Sequence, residues 1–133
     1  MNKAILVTAS ILGITGIILG AFAAHGLKQL ISDESIQVFE TGVKYQMYHA
    51  LLLLVVGTSA MVQEKFKRIV FWLVIFGILF FSGSIYGLAT NVLSSFDFKT
   101  IGFVTPIGGL LLIVAWAALL INFLKMKTDK SQN

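Results

Sequence analysis

The chain has 133 residues and a net charge of +4; 57% of its residues are hydrophobic and only 12% are charged. A soluble domain has about 25% charged residues, so this composition leaves almost nothing from which a soluble catalytic domain could be built. The absence of cysteine excludes disulfide bonds, thiol redox chemistry and cysteine-bound zinc.

Four long apolar segments, separated by short polar breaks, account for this composition. A helix needs about 20 predominantly apolar residues to cross a hydrocarbon core of ~30 Å, and each segment meets or approaches that length. We therefore predict an all-α membrane protein, a bundle of four transmembrane helices that forms a single transmembrane domain over residues 1–133. The predicted spans are approximately 4–26, 45–62, 69–90 and 106–124.

The first helix is predicted from about Lys3 to Leu27. Its small residues recur at three- and four-residue spacing, which places them on one side of the helix, where a neighbouring backbone can approach: Ala9, Gly13, Gly16, Gly20 and Ala24. Lys3 followed by an apolar run also resembles a secretory signal. The run is longer than the usual apolar region of about 7–15 residues, so we expect it to be retained.

The second helix is predicted to begin at Ser32, a hydroxyl cap followed by two acidic residues, and to end near Val62. At 1.5 Å per residue, about 30 residues extend roughly 45 Å, which exceeds the membrane core. Apolar residues in its first turns recur at helical spacing, and Tyr45 and Tyr48 lie where an interfacial aromatic belt belongs. We expect these turns to form an amphipathic N-terminal extension of helix 2 at the outer interface.

Residues 63–68 are predicted to form a tight turn before a third helix that runs from about Arg68 to Thr90. Residues 91–104 are predicted as a loop or, because of their apolar side chains, as a segment that dips back into the interface. Thr105 as a cap and Pro106 at the first helical position indicate the start of the fourth helix. Further packing glycines are predicted in these two helices: Gly83, Gly87, Gly108 and Gly109.

The distribution of basic residues predicts the orientation. With four spans, one side carries seven of them: Lys3, Lys65, Lys67, Arg68, Lys125, Lys127 and Lys130. The other side carries three: Lys28, Lys44 and Lys99. Because cytoplasmic loops have an excess of Lys and Arg, we predict a plasma (inner) membrane protein with both termini cytoplasmic. The position of these residues beside the spans favours contact with anionic lipid headgroups over nucleic acid.

Polar residues toward the outer leaflet form the candidate functional cluster: His25, Glu40, Lys44, Tyr45, Tyr48, His49, Asn91 and Thr105. An ionisable residue inside a membrane is a functional candidate by default. In the structural alternative, both His49 and His25 are neutral and bond a hydroxyl or a backbone carbonyl, for example in the region of Ser82–Ser84. We favour the structural role, because no catalytic motif accompanies the histidines. No catalytic residue, metal ligand or cofactor is assigned.

Several strings resemble the YgdD/YwdK-type family of small bacterial inner-membrane proteins. They are GAFAAHGL (Gly20 to Leu27), TGVKYQMYHALLLL (Thr41 to Leu54), FSGSIYGL (Phe81 to Leu88) and TPIGG (Thr105 to Gly109). They occur in order and span nearly the whole chain, although Ala23 stands where the family pattern favours glycine. The family is one of unknown function, so the resemblance implies a four-span plasma-membrane protein and supplies no catalytic residues.

Elimination leaves a non-enzymatic accessory or structural membrane protein, associated with lipid or with a complex, as the favoured functional class. Its expected partners are the lipid bilayer and either a second copy of the chain or other membrane proteins. Two alternatives stay open. One is a small oligomeric transporter or channel that uses His49 and His25 at the outer leaflet, and the other is a haem or metal site held by the two histidines.

Overall fold

The computed structural model describes residues 1–127, and Lys130, one of the basic residues counted above, lies outside this range. Over the described residues the chain is all-helical, as predicted, with four α-helices. They are α1 (Asn2–Ala24), α2 (Asp33–Thr58), α3 (Glu64–Ala89) and α4 (Val104–Leu124). A 3₁₀ turn at Leu27–Gln29 follows α1, and two more, Asn91–Leu93 and Phe98–Ile101, connect α3 to α4.

Three helical stretches in the described part of the chain are long and apolar enough to cross a membrane: Asn2–Gln29, Glu64–Ala89 and Phe98–Leu124. The helix α2 has the same length as α3 but does not reach this degree of apolarity. Its middle turns contain Lys44, Gln46 and His49. Gln46 and His49 are buried against neighbouring helices, so their polarity reduces the hydropathy of α2 without being presented to the surroundings.

The helices pack in chain order, with α1 on α2, α2 on α3 and α3 on α4. The helices α2 and α3 are therefore central, and α1 and α4 flank them. Both flanking helices expose large aliphatic side chains, among them Ile14 and Ile17 on α1 and Ile113 and Leu120 on α4. Side chains of this kind suit a hydrocarbon solvent, in which an apolar surface carries no hydrophobic penalty.

Two apolar clusters form the core, one toward each end of the bundle. The larger joins all four helices and includes fully buried aliphatic side chains: Ile5, Leu53, Val70, Val74 and Ala115. The smaller lies where α1 ends and α2 begins, and consists of Ala23, Leu27, Ile36, Phe39 and Ala89. The second cluster explains why the first turns of α2 are ordered on the bundle, since Ile36 and Phe39 are its inward-facing residues.

The start of α2 is as predicted, because the Ser32 hydroxyl accepts a hydrogen bond from the Ser35 amide at 3.2 Å. Its end is not, since α2 stops at Thr58 rather than near Val62. The predicted turn at residues 63–68 is likewise wrong: the turn occupies residues 59–63 and α3 begins at Glu64. An acidic residue in the first turn of a helix is favourable, so the charged stretch starts α3 instead of preceding it.

The predicted start of α4 also needs correction. The helix begins at Val104, with Phe103 at the N-cap, so Thr105 is not its cap. The Thr105 hydroxyl instead bonds the Ser84 hydroxyl of α3. Pro106 is the third helical residue, and its missing N–H falls among the first-turn groups that have no intrahelical partner.

Residues 91–104 fold back onto the end of α3. The Asn91 side chain donates to an Asp97 carboxylate oxygen at 3.2 Å and accepts from the Phe98 amide at 2.8 Å, which closes the connection on itself. The Phe98 ring lies over Gly87, where an added Cβ would be 2.6 Å from a ring carbon. The lack of a side chain at Gly87 thus allows the connection to pack against α3.

Candidate functional site

The structure distributes the predicted polar cluster over several places. His25 is exposed at the C-terminal end of α1, and Glu40 and Lys44 are exposed on α2. Asn91 belongs to the connection described above, and Thr105 is half-buried against α3. Tyr45, Tyr48 and His49 remain neighbours on α2, with the Tyr45 and Tyr48 rings edge to face at 5.7 Å.

His49 is buried, with 4% of its surface exposed, and both of its ring nitrogens are engaged. Nε2 accepts a hydrogen bond from the indole N–H of Trp116 on α4 at 3.1 Å. Nδ1 must then carry the proton, and it donates to the Tyr45 carbonyl one turn earlier at 2.7 Å. The partners of His49 are thus Tyr45 and Trp116, not the predicted region of Ser82–Ser84. A neutral imidazole held in this way has no free nitrogen for a metal ion.

An aromatic cleft of about 290 Å³ opens beside His49. Its lining includes Tyr45, Phe81 and Trp116, and the Tyr45 and Phe81 rings lie edge to face at 5.0 Å. Gly109 and Ile113 of α4 complete one side. The His49 ring forms part of the wall, but its nitrogens are directed to Tyr45 and Trp116, so the cleft presents mainly apolar surface.

Gln46, which the sequence analysis did not single out, makes the most extensive polar contact in the bundle. Its amide nitrogen donates to the Leu12 carbonyl at 2.9 Å and to the Thr15 hydroxyl at 2.8 Å, both on α1. Its amide oxygen accepts from the Tyr86 hydroxyl of α3 at 2.7 Å. One buried side chain of α2 therefore joins three helices. The available signal was its spacing, because Gly42, Gln46 and His49 share one helical face with Leu53.

Two further polar contacts connect α3 to its neighbours. The Ser82 hydroxyl donates to the Gly42 carbonyl of α2 at 2.7 Å, and Ser82 is fully buried. A Cβ on Gly42 would lie 2.7 Å from the Tyr86 ring, so this hydrogen bond depends on the close approach that glycine permits. Ser84 contacts Thr105 of α4, as described above.

Polar side chains also secure the opposite end of the bundle. Asn122 of α4 is fully buried; it donates to the Met61 carbonyl at 3.0 Å and accepts from the Gln63 amide at 2.9 Å. It thereby pairs backbone groups of the turn between α2 and α3. Lys67 is 3% exposed, and its ammonium donates to the Asn2 side chain at 3.1 Å, with Glu64 at 3.9 Å. This contact ties the first residues of α1 to α3.

The glycines that the sequence singled out have different surroundings. Gly16 faces Met47 and Gly20 faces Val43, both on α2, and Gly109 is in ordinary contact with Phe81. Gly108 lies directly on the α3 backbone at Gly77, Phe80 and Phe81. Within the described part of the chain, the Cβ positions of Gly13 and Gly83 are open, so any packing role for these two needs a second molecule. Three other glycines lie against a neighbouring helix: Gly42, Gly57 and Gly77.

These contacts define what the polar residues can do chemically. Across residues 1–127, every buried side-chain nitrogen or oxygen has a hydrogen-bond partner. No group of three histidine, aspartate or glutamate side chains in that range could hold a metal ion. In a medium without water, such buried polar groups act as links between helices.

Long apolar helices joined by satisfied polar contacts define a helical membrane protein. The chain belongs to the family described as Protein of unknown function (DUF423), whose model matches residues 19–109. It is 43% identical to a UPF0382 membrane protein of Staphylococcus epidermidis over 106 residues, 80% of this chain and 83% of the relative.

Two further relatives cover nearly the whole chain. The UPF0382 membrane protein YwdK of Bacillus subtilis is 38% identical over 128 residues, 92% of this chain and 98% of the relative. The UPF0382 inner membrane protein YgdD of Escherichia coli is 32% identical over 129 residues, 95% of this chain and 93% of the relative. These matches confirm the family resemblance carried by the sequence strings. No solved structure matches the chain.

Proposed function

We propose that this protein is a four-span accessory or structural protein of the plasma membrane, without enzymatic activity, which forms one transmembrane domain. One observation supports the accessory or structural role: its buried polar side chains form hydrogen bonds between helices. His49, the strongest candidate for chemistry, uses both ring nitrogens to hold α2 against α4 and to bond its own helix. Across residues 1–127 every buried side-chain nitrogen or oxygen has a hydrogen-bond partner, which supports a role for these residues in stabilising the bundle.

The packing of α2 supports the fourth span. This helix lies between α1 and α3, and both of these are long and apolar enough to cross a membrane. Its 26 residues extend about 39 Å at 1.5 Å per residue, more than the ~30 Å of the hydrocarbon core. Of the polar side chains in its middle turns, Gln46 and His49 face protein, and the exposed Lys44 has a chain long enough to extend its ammonium group toward the outer interface. The excess length and the exposed Glu34, Gln37 and Glu40 support an amphipathic extension of its first turns at the outer interface.

The basic residues support an orientation with both termini in the cytoplasm. The start of α1, the turn before α3 and the end of α4 share one side in a four-span arrangement. Described basic residues on that side are Lys3, Lys65, Lys67, Arg68, Lys125 and Lys127. This excess over Lys28, Lys44 and Lys99 is the pattern of cytoplasmic loops.

Single cysteines test the topology, because the native chain has none. We expect Ala60→Cys and Lys127→Cys to react with a membrane-impermeant maleimide only after cells are opened. Glu34→Cys and Ser95→Cys should react on intact cells. All four residues are exposed in the structure. Labelling of positions 34 and 60 from the same side would contradict the fourth span, and labelling of position 127 on intact cells would contradict the orientation.

Substitution of the histidines tests the functional proposal. We expect His49→Ala to lower the free energy of unfolding in detergent by about 1–2 kcal/mol, because the Trp116 N–H loses its acceptor. His25→Ala, the matched control at an exposed position, should leave it unchanged. Proteoliposomes of the wild type and of both variants should have the same proton permeability. A proton flux that disappears in His49→Ala would contradict the proposal and favour the transporter.

The partners proposed for this protein are the lipid bilayer and either a second copy or other membrane proteins. The open positions at Gly13 and Gly83 support a partner helix, since a backbone could approach both closely. Cross-linking of Gly13→Cys in native membranes, followed by mass measurement of the product, identifies a second copy by a doubled mass. A monomer at every oxidant concentration would contradict a second copy on this face of α1.

A further inference from the structure

An apolar groove runs along the surface between α2 and α4. It has a volume of about 580 Å³, within the range of about 300–1,000 Å³ that is typical of ligand pockets. Tyr48 and Trp116 lie at one end, Val55 and Leu120 in the middle, and Val62 and Phe123 at the other end. The groove exists because α4 packs on α3 rather than on α2. Near one end His49–Trp116 connects α2 to α4, and near the other Asn122 connects α4 to the turn that follows α2.

The end of the groove at Val62 and Phe123 is next to two converging lysines. Lys65 comes three residues after Val62, and Lys125 comes two residues after Phe123. Their ammonium groups lie 5.6 Å and 5.9 Å from the centroid of the same Phe66 ring. The two positive charges, one from the start of α3 and one from the end of α4, thus both lie within 6 Å of the centre of one ring.

These charges lack an acidic counterpart in the described ion pairs. Glu64, next to Lys65 in the sequence, lies 3.9 Å from Lys67, which is buried, and Asp129, four residues after Lys125, lies outside the described residues. Lys65, Arg68, Lys125 and Lys127 are exposed at the same end. An anion is therefore the complementary ligand, and each lysine near an anionic membrane surface contributes enough for a roughly fivefold change in affinity.

We propose that this groove binds one anionic phospholipid, with an acyl chain along α2 and α4 and its phosphate between Lys65 and Lys125. A free phosphate would use only the lysines, and a zwitterionic lipid would bring its own ammonium group toward them. The inference rests on the proposed four-span placement, which puts Phe66 at the headgroup level of the cytoplasmic leaflet. An anionic phospholipid bound in this groove would be the lipid partner of the proposed accessory role.

Lipid retention by the purified protein in detergent tests the proposal. Phosphatidylglycerol and phosphatidylcholine with identical acyl chains are added separately, and bound lipid is counted by native mass spectrometry. We expect the wild type to retain one phosphatidylglycerol, and the double variant Lys65→Gln/Lys125→Gln to retain it about 25-fold less well, roughly fivefold for each lysine. Lys28→Gln/Lys99→Gln, which removes the same charge at the other end, should behave as the wild type. Circular dichroism verifies that each variant is folded.

The groove itself has a separate pair of variants. Val55→Trp places a bulky ring in the groove and should reduce retention, whereas Ile17→Trp on the outer face of α1 should not; the two residues are 59% and 65% exposed. If the wild type retained phosphatidylglycerol and phosphatidylcholine equally, this result alone would overturn the proposal. Displacement of the lipid by inorganic phosphate alone would overturn it in favour of a simple anion site. A change of oligomeric state in Val55→Trp with unchanged lipid retention would overturn it in favour of a second copy.

Failure of the topology and failure of the lipid site are distinguishable. Detergent micelles have no inner and outer leaflet, so lipid retention reports on the groove and lysines whatever the orientation. Cysteine labelling in cells reports on the orientation whatever the lipid. A preference for phosphatidylglycerol in micelles with position 127 labelled on intact cells would keep the site and move it to the outer leaflet.

Discussion

Gln46 shows how a single polar residue can organise a membrane bundle. Its amide groups reach α1 on one side and α3 on the other, through Leu12, Thr15 and Tyr86. His49 was predicted as a candidate because it is ionisable and lies in an apolar segment. Gln46 carries no charge, so the same criterion did not identify it. The hydrogen-bond partners of both residues lie 31 or more residues away in most cases, so no local pattern could identify them.

At Gln46, leucine keeps the approximate side-chain size and removes the polar groups. We expect Gln46→Leu to lower the free energy of unfolding by about 1–3 kcal/mol, since the Tyr86 hydroxyl loses its acceptor and the link to α1 is broken. The measurement is reversible unfolding in mixed micelles followed by circular dichroism. Gln37→Leu, an exposed position on the same helix, is the control. Equal stability of the wild type and Gln46→Leu would refute the linking role.

The closest helix crossing belongs to α3 and α4. At Gly108 an added Cβ would meet backbone atoms of Gly77, Phe80 and Phe81, while the space at Gly77 is taken by Leu112. The sequence predicted Gly108 as a packing residue but not its partner, because several helices carry glycines. The boundaries were predicted less well than the helices: the charged stretch after Gln63 looks like a turn in sequence, yet it is the first turn of α3.

Alanine at Gly108 should separate this helix pair. We expect Gly108→Ala to lower the thermal midpoint of unfolding in detergent, with a cost of about 1–3 kcal/mol, because backbone atoms cannot move aside as a flexible side chain can. In monomeric protein, Gly13→Ala, where nothing lies within 4 Å, should be neutral or slightly stabilising, since alanine is the better helix former. A Gly108→Ala protein as stable as Gly13→Ala would contradict the close crossing.

At the scale of the whole molecule, the helices form a series in chain order with α1 and α4 on opposite flanks. Hydropathy predicted the all-helical class, and three of the four helices over the described residues are long and apolar enough to cross a membrane. Hydropathy could not predict which helices are neighbours, because apolar side chains that face lipid and those that face protein have the same composition. The groove between α2 and α4 follows from this order and was likewise not predictable.

Paired cysteines test this order. We expect Gly16→Cys/Met47→Cys to form a disulfide within one chain, because a Cβ at position 16 would be 3.2 Å from Met47 Cγ, the place a sulfur would take. Gly77→Cys/Leu112→Cys should do the same between α3 and α4, where the distance is 2.8 Å. The control is Ile17→Cys/Leu120→Cys, on exposed faces of the flanking helices. Loss of maleimide reactivity under oxidation reports the disulfide. The same loss of reactivity in the control variant, measured on monomeric protein, would disprove the order.

The dependence of α2 on its neighbours has a consequence for how the protein enters the membrane. When α2 leaves the ribosome, only α1 is present, and Gln46 can already bond Leu12 and Thr15. The Gln46 amide oxygen can bond Tyr86 only after α3 has been synthesised. His49 can bond Trp116 only after α4 has been synthesised, because Trp116 is 67 residues later in the chain. In the proposed four-span arrangement, the polar contacts of the least apolar helix are therefore complete only after α4 has been synthesised.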